Sequence, residues 1–491
     1  MLMRCVVALL VLLGIAQPAG AEPPFSRSRW IEENMGRLRF SGGVLPTERI
    51  RVPPASLLAL PAAAGLPNFR VSFDIVQGPH GNGQPETQAE PHVAINPANL
   101  NHLLGGYQEV RFDTGGARAL VYAYSTDGGR KWKEAMVPGL TTASGGRFDR
   151  ASDPWVAFGP DNRAYFVCIA FNETNARNGV YLSVSKNGGK TFGAPVTVHE
   201  NNSIAYFDDK ESMVVDTSST SPYRGYVYVG WDDAGTGTMY VSRSTNGGAD
   251  FQTPVVVDTN GSPIAIVMVV APSGYVYAFW YRSIELRPAE IVCSRSTDGG
   301  AIWSAPRRVA EDRATGVPEL RTGDIVPMAA VDARTGALYV VWQDARWTPG
   351  VDQVLLSRST NAAASWSTPV RVSDGPNDAA NFTAAVAVSG EGKVGVCYYS
   401  LRNDPARRYL VDEYMAISSD KGKTFGAGRR VSKATFDVRL AAQARGYFLG
   451  DYQGIAAGAR VFHPFFVATL RNSVEEPSHK QPDTFASRVI P

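Results

Sequence analysis

A chain of 491 residues that is 44% hydrophobic and 19% charged is too long for one small domain and too apolar for a disordered protein. With 48 Lys and Arg against 46 Asp and Glu the formal net charge is +2, so no overall field recruits nucleic acid or an anionic membrane. The 48 Gly and 32 Pro, with 20 Tyr, 21 Phe and 9 Trp, suit many short strands joined by tight turns rather than a helical bundle or an α/β sheet.

In chain order, residues 1–21 read as a secretory signal. Arg4 supplies the positive start, Val6–Ile15 a short apolar core, and Ala19-Gly20-Ala21 a small-residue cleavage site before Glu22. That core is about half the length of a membrane span, so the mature protein is expected to be exported, to a periplasm or the medium, without a membrane span. Residues 22–67 are rich in Pro and Ala and read as an arm or linker with one short helix near Ser26–Leu38. Cys5 leaves with the signal; Cys168, Cys293 and Cys397 sit far apart inside apolar runs and are expected to be buried, inert thiols. The six His show no ligand spacing, so zinc chemistry is not expected.

From residue 68 onward one motif recurs six times. Its first copy is Ser125-Thr126-Asp127-Gly128-Gly129-Arg130-Lys131-Trp132, and the others are Ser185–Phe192, Ser244–Phe251, Ser296–Trp303, Ser359–Trp366 and Ser418–Phe425. Copies lie about 50–65 residues apart, the spacing of stacked supersecondary units. Asp or Asn folds back onto turn amides, Gly permits positive φ, and the closing aromatic buries an apolar face. The fifth copy has Ala362 and Ala363 in place of the glycines, which predicts a strained or differently shaped turn.

Strand-like runs repeat around the motif. A first strand follows an acidic or Pro-containing start (Glu90-Pro91-His92-Val93, Asp153-Pro154-Trp155-Val156), and a second follows it (Gly225–Trp231, Gly274–Trp280, Gly336–Trp342). A third leads into the motif and a fourth follows its aromatic (Pro254–Val257, Pro306–Val309). Four short strands per unit make one propeller blade. Gly450–Ala456, Val461–Leu470 and Thr484–Ile490 supply three strands without the motif, and Arg70–Val76 is the expected fourth. The expected fold is therefore an all-β propeller of seven four-stranded blades over residues 68–491, with six as the alternative, closed by an N-terminal strand.

The six motifs resemble the Asp-box, or bacterial neuraminidase repeat, of sialidase-type β-propellers. The motif turns themselves are structural. The opposite face, where loops enter first strands and leave second strands, carries dense charge and is where a site is expected. The resemblance implies an exported glycoside hydrolase that removes terminal sugars through a Tyr nucleophile, a Glu partner, an Asp acid/base and an arginine cluster for the substrate carboxylate. Asp451-Tyr452-Gln453-Gly454 opens the last first strand and makes Tyr452 the candidate nucleophile, with Glu211 or Glu319 as its partner and Asp153 or Asp209 as acid/base.

The Phe/Tyr-Arg-Ile-Pro motif of that family is absent: Glu90-Pro91-His92-Val93 stands in its place, and Phe69-Arg70-Val71-Ser72 comes too early. Arg282, Arg321, Arg346, Arg402 and Arg471 are the candidates to rebuild a substrate-binding cluster. Glu90, Asp153, Asp209, Asp324 and Asp451 all stand at first-strand starts, and such a ring of carboxylates suits Ca²⁺ or a cationic ligand. No cofactor is required by the hydrolase reading. Its alternative is a non-catalytic propeller that binds glycan, peptide or a cell-envelope partner on this face. The expected partner is carbohydrate or glycoconjugate, and the protein is expected to act as a monomer.

Overall fold

The computed structural model describes residues 25–34, 65–78, 80–284, 287–406, 409–469 and 481–491. The expected signal, most of the 22–67 arm and Arg471 lie outside these residues. Among the described residues one α-helix, α1 (Arg27–Asn34), occurs, where a short helix was expected near Ser26–Leu38; residues 35–38 are outside the described set.

The rest of the described chain is built on antiparallel sheets joined by turns and loops. After β1 (Asn68–Arg70), strands β2 (Gly83–Asn96), β3 (Asn99–Phe112), β4 (Ala117–Ser125) and β5 (Lys133–Met136) pair in sequence. So do β6 (Arg150–Phe158), β7 (Ala164–Phe171), β8 (Arg177–Ser185) and β9 (Val196–Asn202). A single pair, Ala117–Ala151, links these two groups into one sheet. The pattern repeats in β10 (Asp208–Val215), β11 (Val227–Asp233), β12 (Thr238–Ser244) and β13 (Val255–Asp258), and in β14 (Ser262–Val270), β15 (Val276–Ser283), β16 (Glu290–Ser296) and β17 (Arg307–Glu311). The short β18 (Leu320–Arg321) precedes β19 (Met328–Val331), β20 (Leu338–Thr348), β21 (Val351–Ser359) and β22 (Val370–Arg371). Then come β23 (Asn381–Val388), β24 (Val394–Ser400), β25 (Leu410–Ser418) and β26 (Arg429–Arg430), with β27 (Phe436–Asp437) also on β25.

A hairpin of β28 (Ala442–Gln443) and β29 (Tyr447–Phe448) follows, its second strand parallel to β18. The last sheet holds β30 (Gly454–Ala457), β31 (Phe462–Thr469), β32 (Pro482–Ser487) and, at its edge, β1. The N-terminal strand is thus Asn68–Arg70 rather than Arg70–Val76. Asp74 turns the chain at φ 57°, and Val76 N–H donates to the Glu109 carboxylate at 2.6 Å instead of to a strand.

The second strands β7 and β24 are buried along their whole length, because neighbouring sheets cover both faces. Large side chains fill those faces, among them Trp231 and Trp280, both 0% exposed. First strands pack on one another: β2 on β6 and β30, β10 on β6 and β14, and β19 on β14 and β23, which in turn meets β30. Among the described residues no sheet closes on itself. Between the first strands runs an apolar cavity of about 510 Å³, lined by Trp155, Met213, Val267, Met328, Val386 and Ile455 among others.

All six motif turns share one hydrogen-bond frame. The residue in the fifth position donates its N–H to the opening serine Oγ at 2.8–3.1 Å, from Gly129, Gly189, Gly248, Gly300, Ala363 and Gly422. The fifth copy keeps this frame, with Ala362 at φ 57° and Ala363 at φ 63° where the first has Gly128 at 75° and Gly129 at 84°. That turn is strained but not reshaped. Cys168, Cys293 and Cys397 are free and buried, and burial pushes each thiol up.

Candidate functional site

Five first strands begin with the same irregularity. β2, β6, β10, β14 and β23 each slip in register near their start. Within each slip one non-glycine residue has positive φ: Glu90 (53°), Asp153 (56°), Lys210 (44°), Ala265 (63°) and Thr383 (48°). A bulge of this kind bends the strand and re-aims one side chain; strained backbone of this sort persists only where the surroundings hold it.

Three of these bulge residues meet. Lys210 Nζ lies 3.0 Å from Glu90 Oε1, 2.8 Å from Asp153 Oδ1 and 2.8 Å from Asp451 Oδ2. Arg321 also holds Asp451, with Nε donating to Oδ1 at 2.8 Å and Nη2 to Oδ2. Gln108 donates to Glu90 and to Ser152, and accepts from Arg111 Nη1 at 2.9 Å. The expected carboxylate ring is thus partly neutralised by the protein's own cations. Among the described residues no group of three or more His, Cys, Asp or Glu could hold a metal ion.

The pairing of β18 with β29 sets Arg321 opposite Phe448, and the guanidinium groups of Arg111 and Arg321 lie 5.0 and 4.5 Å from the centre of that ring. The tip of the β28–β29 hairpin brings Arg445, at φ 63°, to the same place. Arg111, Arg321, Arg445 and Lys210 line one cavity of about 40 Å³ together with Ser152, Asp153 and Asp209. Ile31 of α1 and the apolar Ile169, Phe171 and Phe207 complete its wall.

Burial opposes the charge on Asp451, but Arg321 and Lys210 overcome it and hold the carboxyl well below its ordinary range. Burial likewise opposes the Lys210 ammonium, and Asp153, Asp451 and Glu90 more than compensate. Glu90 is pushed up by burial and by the neighbouring Asp153. Asp209 is raised by burial, and Asp232, its partner across β10 and β11, by burial and by Asp209. Burial, then the charges of Arg321 and Arg111, push Arg445 down to about 9. Four cations, Arg111, Lys210, Arg321 and Arg445, line the cavity against two carboxyl groups, Asp153 and Asp209, so the cavity favours an anion.

The remaining candidates fall in several places. Tyr452 is 3% exposed, packs against Trp155 with ring centres 5.4 Å apart, and donates its hydroxyl to the Pro154 carbonyl at 3.0 Å. It stands behind Lys210, outside the cavity wall, with its hydroxyl raised by burial and by the charge of Glu90. Glu211 is buried, neither carboxyl oxygen has a hydrogen-bond partner among the described residues, and burial raises it strongly. Asp324 is raised to about 6 by burial and by Asp352. Glu319 is exposed and accepts from the Tyr409 hydroxyl at 2.9 Å.

Of the arginines named from sequence, Arg321 is the one that lines the cavity among the described residues. Arg282 pairs with Asp258 and Glu290, Arg346 with Asp344, and Arg402 with Asp374. Arg111, Arg445 and Lys210 were not among the site residues read from sequence. A signal existed for Arg111, which ends a second strand as Asp232 and Asp344 do. Lys210 is next to the chosen Asp209, and the bulge decides which of the two points at Asp451.

No family model matches this chain. Over 147 residues it is 30% identical to a sialidase of Bacteroides fragilis (strain YCH46), a match covering 26% of each chain. The chain therefore spans about a quarter of the length of that curated relative. Among solved structures it is similar to a Dyadobacter fermentans protein of unknown function, with TM-score 0.47, 12% identity, and 88% of this chain and 100% of that one covered. It is also similar to a leech intramolecular trans-sialidase, with TM-score 0.45, 11% identity, and 71% and 68% covered. A Penicillium chrysogenum α-L-arabinanase gives TM-score 0.45 and 10% identity, with 88% and 99% covered. The resemblance to sialidases read from the repeated turns is thus met again, as a divergent one, in the segment matching the Bacteroides protein.

Proposed function

We propose that the protein is an exported, sialidase-like glycoside hydrolase acting on terminal acidic sugars of glycans, built on a seven-bladed β-propeller that its N-terminal strand closes. The blade count is supported by the cyclic packing of β2, β6, β10, β14, β19, β23 and β30, and closure by the place of β1 beside β32. The activity rests on one observation: Arg111, Arg321, Arg445 and Lys210 converge on a cavity that also holds Asp153 and Asp209.

Guanidinium groups pair with a sugar carboxylate through parallel hydrogen bonds, and Lys210 adds a point charge. Asp209, on the cavity wall, is the proposed acid that gives a proton to a leaving oxygen, and Asp153 is the alternative acid/base. Tyr452 is the proposed nucleophile and Glu211 the base that activates it. In that role the Tyr452 hydroxyl leaves Pro154, and water entering the opened cavity lets Glu211 ionise. The substrate is carbohydrate, the protein acts as a monomer, and residues 1–21 direct export.

The test is release of a fluorophore from a generic α-sialoside by the purified protein from mildly acidic to neutral pH, with Tyr452→Phe and Asp209→Asn beside it. Turnover by the unmodified chain that both substitutions abolish is the expected result; no turnover by the unmodified chain overturns the hydrolase. A second reading, a non-catalytic propeller that binds an acidic glycan, draws on the Tyr452–Pro154 bond, which keeps the hydroxyl out of the cavity. It predicts sialic acid binding, by calorimetry, without turnover.

A further inference from the structure

The charged cavity is covered. Arg111, Asp153, Asp209, Lys210 and Arg321 are each 6% exposed or less, and Ile31 of α1 forms part of the wall. The cavity's 40 Å³ has room for roughly three water molecules and none for a sugar ring. Whatever binds these charges needs something to move first.

The helix is the removable part. It joins no sheet, and an isolated eight-residue helix is unstable in water, so its structure depends on the surface beneath it. One carboxylate holds two of its serines, with Ser26 Oγ donating to Glu173 Oε1 at 2.6 Å and Ser28 Oγ to Oε2 at 2.9 Å, and Arg27 Nη2 donates to the Ala176 carbonyl at 2.8 Å. Ser28 Oγ also lies 3.0 Å from Thr114 Oγ1. Arg27 N–H donates to the Glu173 carbonyl at 2.7 Å, and its guanidinium lies 4.9 Å from the Trp30 ring and 5.0 Å from Phe207. Trp30 packs on an apolar cluster of Phe171, Phe207 and Ala234. Every contact named here can break without disturbing a strand pair. Segments held in this way open at far lower free energy than the sheets below them.

We propose that α1 is a resident lid: in the closed form Ile31 and Trp30 deny a glycan access to the arginine-lined cavity, and substrate enters when the helix detaches. The proposal rests on reading that cavity as the acidic-sugar site. Its affinity for a sugar is lowered by the fraction of molecules in which the lid is closed. Loosening the helix raises apparent affinity, and tying it down abolishes turnover.

Two measurements on the full chain separate the lid from the sugar. Ala234→Cys places a thiol beneath Trp30 in a protein whose own described cysteines are buried. Its reaction with a small methanethiosulfonate is expected to accelerate about tenfold or more when Ile31→Asp sets a charge against the apolar wall. Equal rates overturn the lid, whether or not the protein acts on sugars. In the second, Ser28→Cys and Thr114→Cys replace the hydroxyl pair 3.0 Å apart with cysteines that oxidation can join. α-Sialoside turnover is expected to vanish on oxidation and return on reduction. Turnover unaffected by the crosslink overturns the lid and leaves the hydrolase standing. Accelerated labelling with no turnover in any form leaves the lid standing and removes the sialoside reading. The crosslink needs no destabilising charge, so it tests the lid even if Ile31→Asp unfolds the chain.

Discussion

Lys210 Nζ lies 2.8 Å from Asp451 Oδ2, tying the bulge of β10 to the segment that leads into β30. The same ammonium serves Glu90 and Asp153, so one cation neutralises acids from three other segments. Lys210→Met is expected to lower stability by about 3–5 kcal/mol at pH 7, because it strands buried carboxylates. Urea denaturation measures it. Glu90→Gln added to Lys210→Met should restore part of the deficit, because it removes one of the stranded acids. An equal deficit in the single and the double variant would show that the loss is one of packing.

The fifth motif turn offers a stabilising substitution. Ala362→Gly relieves a left-handed alanine at φ 57° and is expected to add about 0.5–1 kcal/mol, after the entropy of glycine in the unfolded chain is subtracted. Ala363→Gly should gain less, since the Ala363 methyl is buried and packs in the core. Thermal denaturation of the two variants, compared with the unmodified chain, decides the order.

Stability should fall as pH rises from about 4.5 to about 8. Behind the N-terminal strand, burial raises Glu109 from 4.5 to about 8, Glu134 from 4.5 to about 7 and Asp483 from 3.8 to about 6. They face Asp74 and the Tyr107 hydroxyl, and Arg70 is the cation paired with Asp74 and Asp483. An acid whose folded pKa is raised stabilises fully below its unfolded value, and that contribution is lost as pH rises through the folded value. Urea midpoints at pH 5, 6.5 and 8 should therefore decline, and Glu109→Gln should flatten the slope. A midpoint that rises with pH would contradict the placement of these groups.

Arg445→Ala tests the anion site without emptying the centre of the cluster. Losing one charge-assisted contact of about 1.5–3 kcal/mol should lower kcat/KM for an α-sialoside roughly 10- to 150-fold, chiefly through KM. Turnover of a neutral glycoside, if present, should change little. Equal loss on both substrates would make Arg445 a support for Arg321 and Arg111 instead of a carboxylate ligand.

The repeated turns and strands were legible in the sequence because their causes are local. A serine hydroxyl, an Asp or Asn carbonyl and a left-handed pair close each turn within eight residues, and the apolar runs beside them can only be buried strands. The short N-terminal helix, the edge strand and the buried cysteines were legible for similar reasons. The edge strand ends early because Asp74 turns the chain, which apolar pattern does not reveal.

The meeting of charges was not legible. Arg282, Arg346 and Arg402 share the residue type of Arg321, yet carboxylates of Asp258, Asp344 and Asp374 nearby in the chain bind them first. Arg111 and Arg445 enter the cavity because β3 ends there and because the β28–β29 hairpin lies along β18. Lys210, not Asp209, reaches Asp451 because a bulge at φ 44° shifts the alternation of β10 by one residue. Residue types and turn spacing thus determined which sheets form. Which charges share a cavity was decided only when the first strands packed against one another, since Coulomb attraction acts through space between segments that the chain keeps far apart.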